Sequence, residues 1–317
     1  MEQRVSFAGQ VKKELSEAEP ACPHCKFAQT YGMLLFSRGF SARQISIQTE
    51  HKAVVDRYAY NIIDLTGAIV TISYLPSERR RGSRLYVATV EDERDSAVIR
   101  RKFGHEKEQA AVRLVEENMR NDCCKAAFLR GAFMVCGSVI NPEKEYHLEF
   151  VVPYFHLSED LQAFITGCGI PIRSTTRKGS DVLYLKESEH IEDMLTLMGA
   201  TQSSLELMNV KIMKDVRNKV NRVTNCETAN IEKTVAAAQE QISDIQLIQT
   251  AKGFAWLPED LQELAQLRLE NPDLSLRELC TQLSEPLSRS GVNHRLKRLS
   301  RIAQELRDAG YEPPSME

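Results

Sequence analysis

"LRGAFMVCGSV" occupies residues 129–139, and a similar piece, "TYGMLLFSRGF", occupies residues 30–40. Each reads as a helix with a glycine in its body that then runs into a second glycine. Glycine inside a helix costs about 1 kcal/mol relative to alanine, so its use at the same place twice needs a physical reason. Aligning Cys25-Lys26 with Cys124-Lys125 superposes Ala28 on Ala127 and Gly32 on Gly131, an offset of 99 residues. A fixed offset of this kind marks an internal repeat and takes precedence over any element-by-element reading.

The sequence following each piece runs the same course. After the first come "RQISIQTE", alternating like a strand, and "HKAVVDRYAYNIIDLTG". The latter places Val54, Val55, Tyr58, Ile62 and Leu65 at helical spacing, with Gly67 as its stop. Two strand-like runs, "AIVTISYL" and "SRLYVATV", flank an arginine loop, and a helix around residues 97–103 closes the unit. After the second piece, "GSVINPEKEYHLEFVV" reads as a hairpin turning at Asn141-Pro142. "LSEDLQAFITGCG" reads as a helix with Ser158 as its N-cap, and "IPIRSTTRKGSDVLYLKE" as a hairpin turning at Lys178-Gly179. "SEHIEDMLTLMGA" is a helix capped by Ser188 and ended by Gly199. Each half is therefore α-β-β-α-β-β-α, with repeats at about 20–105 and 120–200 inside an α+β, pseudo-twofold domain over residues 1–205.

Residues 206–254 read as a helical linker with Ile231, Val235, Ala238, Ile242, Ile245 and Ile248 on one stripe. Residues 255–310 read as an all-α unit. "LPEDLQELAQLRLENPD" opens with proline in its first turn, and Ser275-Leu276-Arg277-Glu278 has the form of a capping box. A short turn then precedes "RSGVNHRLKRLSRIAQELRDAG", whose Val292, Leu296, Leu299, Ile302 and Leu306 share a face. Three short helices with a tight turn before the third match a helix-turn-helix. Residues 311–317 read as a frayed tail.

The 317 residues carry 27% charged and 42% hydrophobic side chains and a net charge of −3. No run of about 18 apolar residues suggests a membrane span, and the N-terminus reads as an amphipathic helix. The weak global charge hides local basic surfaces. Residues 287–304 hold Arg289, Arg295, Lys297, Arg298 and Arg301 and no acidic residue. Residues 211–222 hold five basic residues against Asp215, and Arg79, Arg80 and Arg81 sit in a Ser/Gly-rich loop. Basic side chains neutralise phosphates, and Arg or Asn near the start of a recognition helix reaches base edges in the major groove. Candidate DNA contacts are Ser275, Ser288, Arg289, Ser290, Asn293, His294, Arg295, Lys297, Arg298 and Arg301. A secondary nucleic-acid or partner surface comprises Arg79, Arg80, Arg81, Arg217, Asn218, Asn221, Arg222 and Asn225.

Eight cysteines fit a reducing compartment, here the cytoplasm. Cys22/Cys25 and Cys123/Cys124 are paired, but spacing alone does not say whether the pairs converge as a metal site requires. No metal or cofactor is assigned from sequence.

The doubled L-x-G-x-x-x-x-x-G-S helix in an αββαββ setting resembles the LAGLIDADG homing-endonuclease fold, with Leu129-Arg130-Gly131 at the L-A-G and Gly137-Ser138 just past its end. The resemblance implies that the two motif helices pack at the domain centre, where Gly32 and Gly131 permit close approach. It also implies four-stranded sheets that form a saddle on DNA. Nucleases of this fold place an acidic residue at each helix tip to hold divalent metal. The matching residues here are Ser37 and Cys136, neither of which is a hard oxygen anion. No catalytic residue is therefore expected. The emptied repeat domain, the segment "RNKVNRVTNCETAN" and the C-terminal "SGVNHRLKRL" together resemble the WhiA family of bacterial regulators over nearly the whole chain. That resemblance implies a transcription factor of cell division, chromosome segregation or sporulation, bound to double-stranded DNA at the nucleoid. It also implies a WhiB-type iron–sulfur regulator or division proteins as further partners. The first repeat departs from the motif at Tyr31 and at Arg38-Gly39. The rival readings are a metal-dependent endonuclease using Glu143 or Glu145, and a cell-division scaffold that binds DNA incidentally. Oligomeric state is not legible in the sequence.

Overall fold

A computed structural model describes residues 6–41, 44–76, 84–106 and 111–311. The expected arginine loop at Arg79, Arg80 and Arg81, and residues 312–317 of the expected tail, lie outside these. The chain divides into two compact units, residues 1–215 and 216–317.

The first unit opens with α1 (Phe7–Glu17), which Ser6 caps by accepting from the Gly9 N–H. The first repeat follows as α2 (Cys25–Leu35), β1 (Gly39–Phe40), β2 (Ile45–Thr49), α3 (Lys52–Thr66), β3 (Thr71–Pro76), β4 (Arg84–Val90) and α4 (Glu93–Lys102). The second is α5 (Asp122–Cys136), β5 (Gly137–Val139), β6 (Leu148–Val152), α6 (Phe155–Gly167), β7 (Arg173–Arg177), β8 (Ser180–Leu185) and α7 (Ser188–Met198). The two antiparallel sheets have equivalent orders, β1-β2-β4-β3 and β5-β6-β8-β7. β3 and β7 lie at the edges and are exposed along their whole length.

The repeat offset reappears in three dimensions. An added Cβ on Gly32 would stand 2.2 Å from the Phe128 carbonyl oxygen and 2.9 Å from the Ala132 nitrogen. One on Gly131 would stand 2.0 Å from the Gln29 oxygen and 3.0 Å from the Met33 nitrogen. Gln29 and Phe128, like Met33 and Ala132, are related by the same offset as the glycines. The two helices thus meet backbone to backbone about a pseudo-twofold axis, and only glycine leaves room.

Tyr31, the departure in the first motif, is fully buried. Its hydroxyl accepts from the Val115 N–H at 2.8 Å and lies 3.0 Å from His105 Nε2. The larger residue therefore anchors the segment joining the repeats. Two N-caps differ from expectation. α6 starts at Phe155, so Ser158 lies buried inside it, and Glu187 caps α7, making Ser188 its first residue. α4 begins at Glu93, earlier than apolar spacing suggested, because Asp92 accepts from the Arg94 N–H at 2.7 Å.

Helix α8 (Thr201–Lys252) runs from the first unit into the second. Glu14 of α1 accepts from the N–H groups of Gln202 and Ser203 at 2.7 and 3.0 Å and from the Ser203 hydroxyl at 2.6 Å. A carboxylate here satisfies orphan donors and complements the helix dipole. In the second unit Ala238, Ile245 and Ile248 are buried, whereas Ile231 and Val235, expected on the same packed stripe, are exposed.

That unit is completed by α9 (Glu259–Glu270), α10 (Leu276–Gln282) and α11 (Arg289–Asp308). The capping box at Ser275 and Glu278 is formed in both directions. Leu261, Leu264, Leu279, Leu283, Val292, Leu296, Leu299 and Leu306 fill its core. Arg268 is 1% exposed and pairs with no carboxylate among the described residues. It donates instead to Gln241 Oε1 from Nε and Nη2, both at 3.0 Å, and to the carbonyls of Leu274 and Pro272. These bonds tie α8 to the loop before α10.

Candidate nucleic-acid interface

The buried line of α11 leaves a complementary exposed one. Val292, Leu296, Leu299, Ala303 and Leu306 point inward. His294, Lys297 and Arg301 are exposed on the opposite side, with Asn293 half-buried beside them. At the helix start Ser288, Arg289 and Ser290 are exposed. Ser288 caps α11 by accepting from the Gly291 N–H at 3.2 Å. Cap residues such as Ser288 and Ser275 stand beside helix N-terminal N–H groups, the donors that favour anions.

Arg295 and Arg298 stand apart from this line. Asp260, in the first turn of α9, lies 2.8 Å from Arg298 Nη1 and 3.8 Å from Arg295 Nε. Both guanidinium groups are partly engaged within the unit, leaving Arg289, Lys297 and Arg301 as the cations best placed to meet a ligand. The turn before α11 is held by Glu263, which accepts from the Ser284 N–H and hydroxyl at 2.6 and 2.8 Å.

The sequence reading missed two cations. Lys233 of α8 and Arg277 of α10 line a concavity with Arg289, Ser275, Gln241 and Arg268. Arg277 sits inside the capping-box motif, where its role as a helix residue masks its exposure. On α8 itself Arg217, Asn218, Asn221, Arg222 and Asn225 are all exposed. Their four-residue spacings place Arg217, Asn221 and Asn225 on one line and Asn218 with Arg222 on the next.

The helix tips of the first unit have a different character. Ser37 is buried and spends its hydroxyl on the Leu34 carbonyl at 2.8 Å. Cys136 ends α5, and burial of its thiol pushes the pKa up to about 12, against the attraction of nearby Lys12. Lys12 is 8% exposed and forms no ion pair with a carboxylate among the described residues. Burial lowers its pKa to about 8. Burial and then Lys12 likewise lower His51 to about 4. An ammonium near the Cys136 tip opposes a dication there, the reverse of what a metal-dependent nuclease requires. Glu143 and Glu145 stand exposed around the β5–β6 turn. Among the described residues the one group of His, Cys, Asp or Glu close enough to share an ion is formed by Cys22, Cys25, Cys123 and Cys124.

A two-repeat LAGLIDADG-like unit with closed helix tips, joined through a long helix to a helix-turn-helix with a basic third helix, defines a DNA-binding architecture without the acidic nuclease pair. Residues 125–217 match the family profile described as the WhiA LAGLIDADG-like domain, and residues 220–303 match the WhiA C-terminal HTH domain. The "Probable cell division protein WhiA" of Clostridium novyi (strain NT) is 38% identical over 317 residues, covering 96% of this chain and 100% of that protein. The protein of the same name from Alkaliphilus oremlandii (strain OhILAs) is 38% identical over 315 residues, covering 96% and 98%. The chain belongs to the WhiA family. A crystal structure of full-length DUF199/WhiA from Thermatoga maritima shares the fold, with a TM-score of 0.57, 23% identity and coverage of 95% of this chain and 98% of that one.

Proposed function

We propose that the protein is a sequence-specific DNA-binding regulator of transcription, acting at the nucleoid in cell division, chromosome segregation or sporulation. The observation that carries this is the exposed line Arg289, Ser290, His294, Lys297 and Arg301, with half-buried Asn293 beside it, on a capped helix held by its own core. Lysine and arginine on this line neutralise phosphates, and Asn293 reads a base edge. The repeat domain serves as a binding surface rather than a catalytic one. Lys12 beside Cys136, with Ser37 and Cys136 in place of the two motif carboxylates, supports the absence of nuclease activity. The exposed asparagines and arginines of α8 offer a second contact for DNA or a protein partner, a WhiB-type regulator or a division protein among them.

The test is a gel-shift titration at several salt concentrations. Lys297→Glu with Arg301→Glu should weaken binding at least tenfold and lower the salt slope by about two, since each lost phosphate contact removes about 0.9. Asn293→Ala should instead flatten preference among sequences. Unchanged affinity in the double variant would sink the docking. Mg²⁺-dependent nicking abolished by Glu143→Gln or Glu145→Gln would replace it with the nuclease reading.

A further inference from the structure

The four paired cysteines meet at the end of the α2/α5 pair opposite Ser37 and Cys136. Cys25 is the first residue of α2, and Cys123 and Cys124 are the second and third of α5. Cys22 precedes α2 by one turn, with its carbonyl accepting from the Cys25 N–H at 3.1 Å. All four sulfurs lie within 4.8 Å of one another. Cys22 Sγ is 3.5 Å from Cys25 Sγ and 3.7 Å from Cys124 Sγ. Four thiolates at about 2.3 Å around a tetrahedral ion stand about 3.8 Å apart.

We propose that Cys22, Cys25, Cys123 and Cys124 form a structural Zn²⁺ site that clamps the two repeats together. The chemistry of the surroundings agrees. Both chelating pairs sit at helix starts, where orphan N–H groups and the positive ends of two dipoles stabilise thiolates. Asn121 Nδ2 lies 3.7 Å from Cys22 Sγ, an N–H···S contact of the kind that orients a ligand. Cys25 and Cys124 are buried while Cys22 and Cys123 are half-exposed, so an ion has a way in. Each of the four packs in or against the core of the first unit, yet their sulfurs converge on one point, an arrangement that apolar packing does not require and one ion would use in full. A cubane iron–sulfur cluster would hold its cysteines farther apart than a single ion does. Binding displaces the thiol protons: four RSH and Zn²⁺ give [Zn(SR)₄]²⁻ and four H⁺. The site is closed, with four protein ligands and no position for water, and so is structural.

The inference is tested on the full chain purified under reducing conditions. Elemental analysis should find about one zinc per chain, and Co²⁺ added to stripped protein should give thiolate charge-transfer and tetrahedral d–d bands. Cys22→Ser with Cys123→Ser should lose both, whereas Cys226→Ser, on the exposed face of α8, should keep both. Chelation should lower the unfolding midpoint of the parent protein and leave the double variant unmoved. If the double variant fails to fold, Cys22→Ser alone, which removes one half-exposed ligand, should lower zinc affinity at least tenfold. Less than about a tenth of an equivalent of zinc with no cobalt spectrum would overturn the site. Iron with acid-labile sulfide, or disulfides among these cysteines in reducing buffer, would overturn the single-ion reading.

Discussion

Gly131→Ala isolates the contact on which the first unit is built. The new Cβ would lie 2.0 Å from the Gln29 oxygen, which is backbone and cannot rotate away. A C···O contact settles at about 3.3 Å, so α2 and α5 must part by about 1.3 Å along this line. A gap of about 1 Å forfeits up to half the dispersion energy of the atoms facing it. Overpacking of this kind costs about 1–3 kcal/mol and more when backbone must move. Alanine returns about 1 kcal/mol of helix propensity. With the cost at the upper end because backbone must move, the net expectation is a loss of about 1–2 kcal/mol, or about 2–8 °C in the unfolding midpoint of a unit this size. Gly167 supplies the control, since it too is helical, at the end of α6, and an added Cβ there meets nothing within 4 Å. Gly167→Ala should therefore be neutral or stabilising by up to about 0.5 kcal/mol. Urea melts followed by circular dichroism compare the two. If Gly131→Ala is as stable as the parent, the backbone-to-backbone crossing is wrong. Gly32→Ala should resemble Gly131→Ala, and the pair should be less than additive because both open one crossing.

Three further outcomes follow from the charges. Lys12→Met should raise stability at pH 7 by about 1–3 kcal/mol, since a pKa of about 8 rather than 10.5 marks the cost of keeping the ammonium charged. The unfolded chain binds the extra proton between pH 8 and 10.5, so parent stability climbs through that window and the advantage of methionine fades; equal midpoints at pH 7 would refute this. His51 and His105 are both held down to about 4, chiefly by burial, so the unfolded state takes up their protons as pH falls from about 6.5 to 4. Stability should drop across that interval, and His51→Asn should shallow the slope; identical pH profiles would place His51 in water. Glu14→Ala should cost about 1–2 kcal/mol by orphaning the donors at the start of α8, and hydrogen exchange at Gln202 and Ser203 should quicken.

The fold was legible because its decisive signal is periodic and backbone-imposed. A glycine recurring at one offset inside two apolar helices has few explanations, and Gly67 and the Lys178-Gly179 turn followed from local chemistry, whereas the sheet orders, which depend on non-local pairing, did not. Ser158 was misplaced because any serine before an apolar run resembles a cap, and only the path of the preceding chain decides where the helix starts. Arg295 and Arg298 looked equivalent to Lys297 and Arg301 in a charge count. What separates them is Asp260, more than thirty residues away in sequence. The convergence of the cysteines was undecidable for the same reason, since it depends on α2 and α5 lying side by side. Lys12 gave almost no signal, being one lysine of two on an amphipathic helix.

α1 explains how the two ends of the first unit can differ so much. Its Val11 and Leu15 are fully buried and fix the helix against the repeats. That anchoring sets Lys12 near Cys136 and Glu14 at the start of α8. A dication beside Cys136 would face the desolvated ammonium of Lys12, an arrangement electrostatics disfavours at any pH where Lys12 is charged. The same helix thus sets a cation near the Cys136 tip and ties the repeat domain to α8.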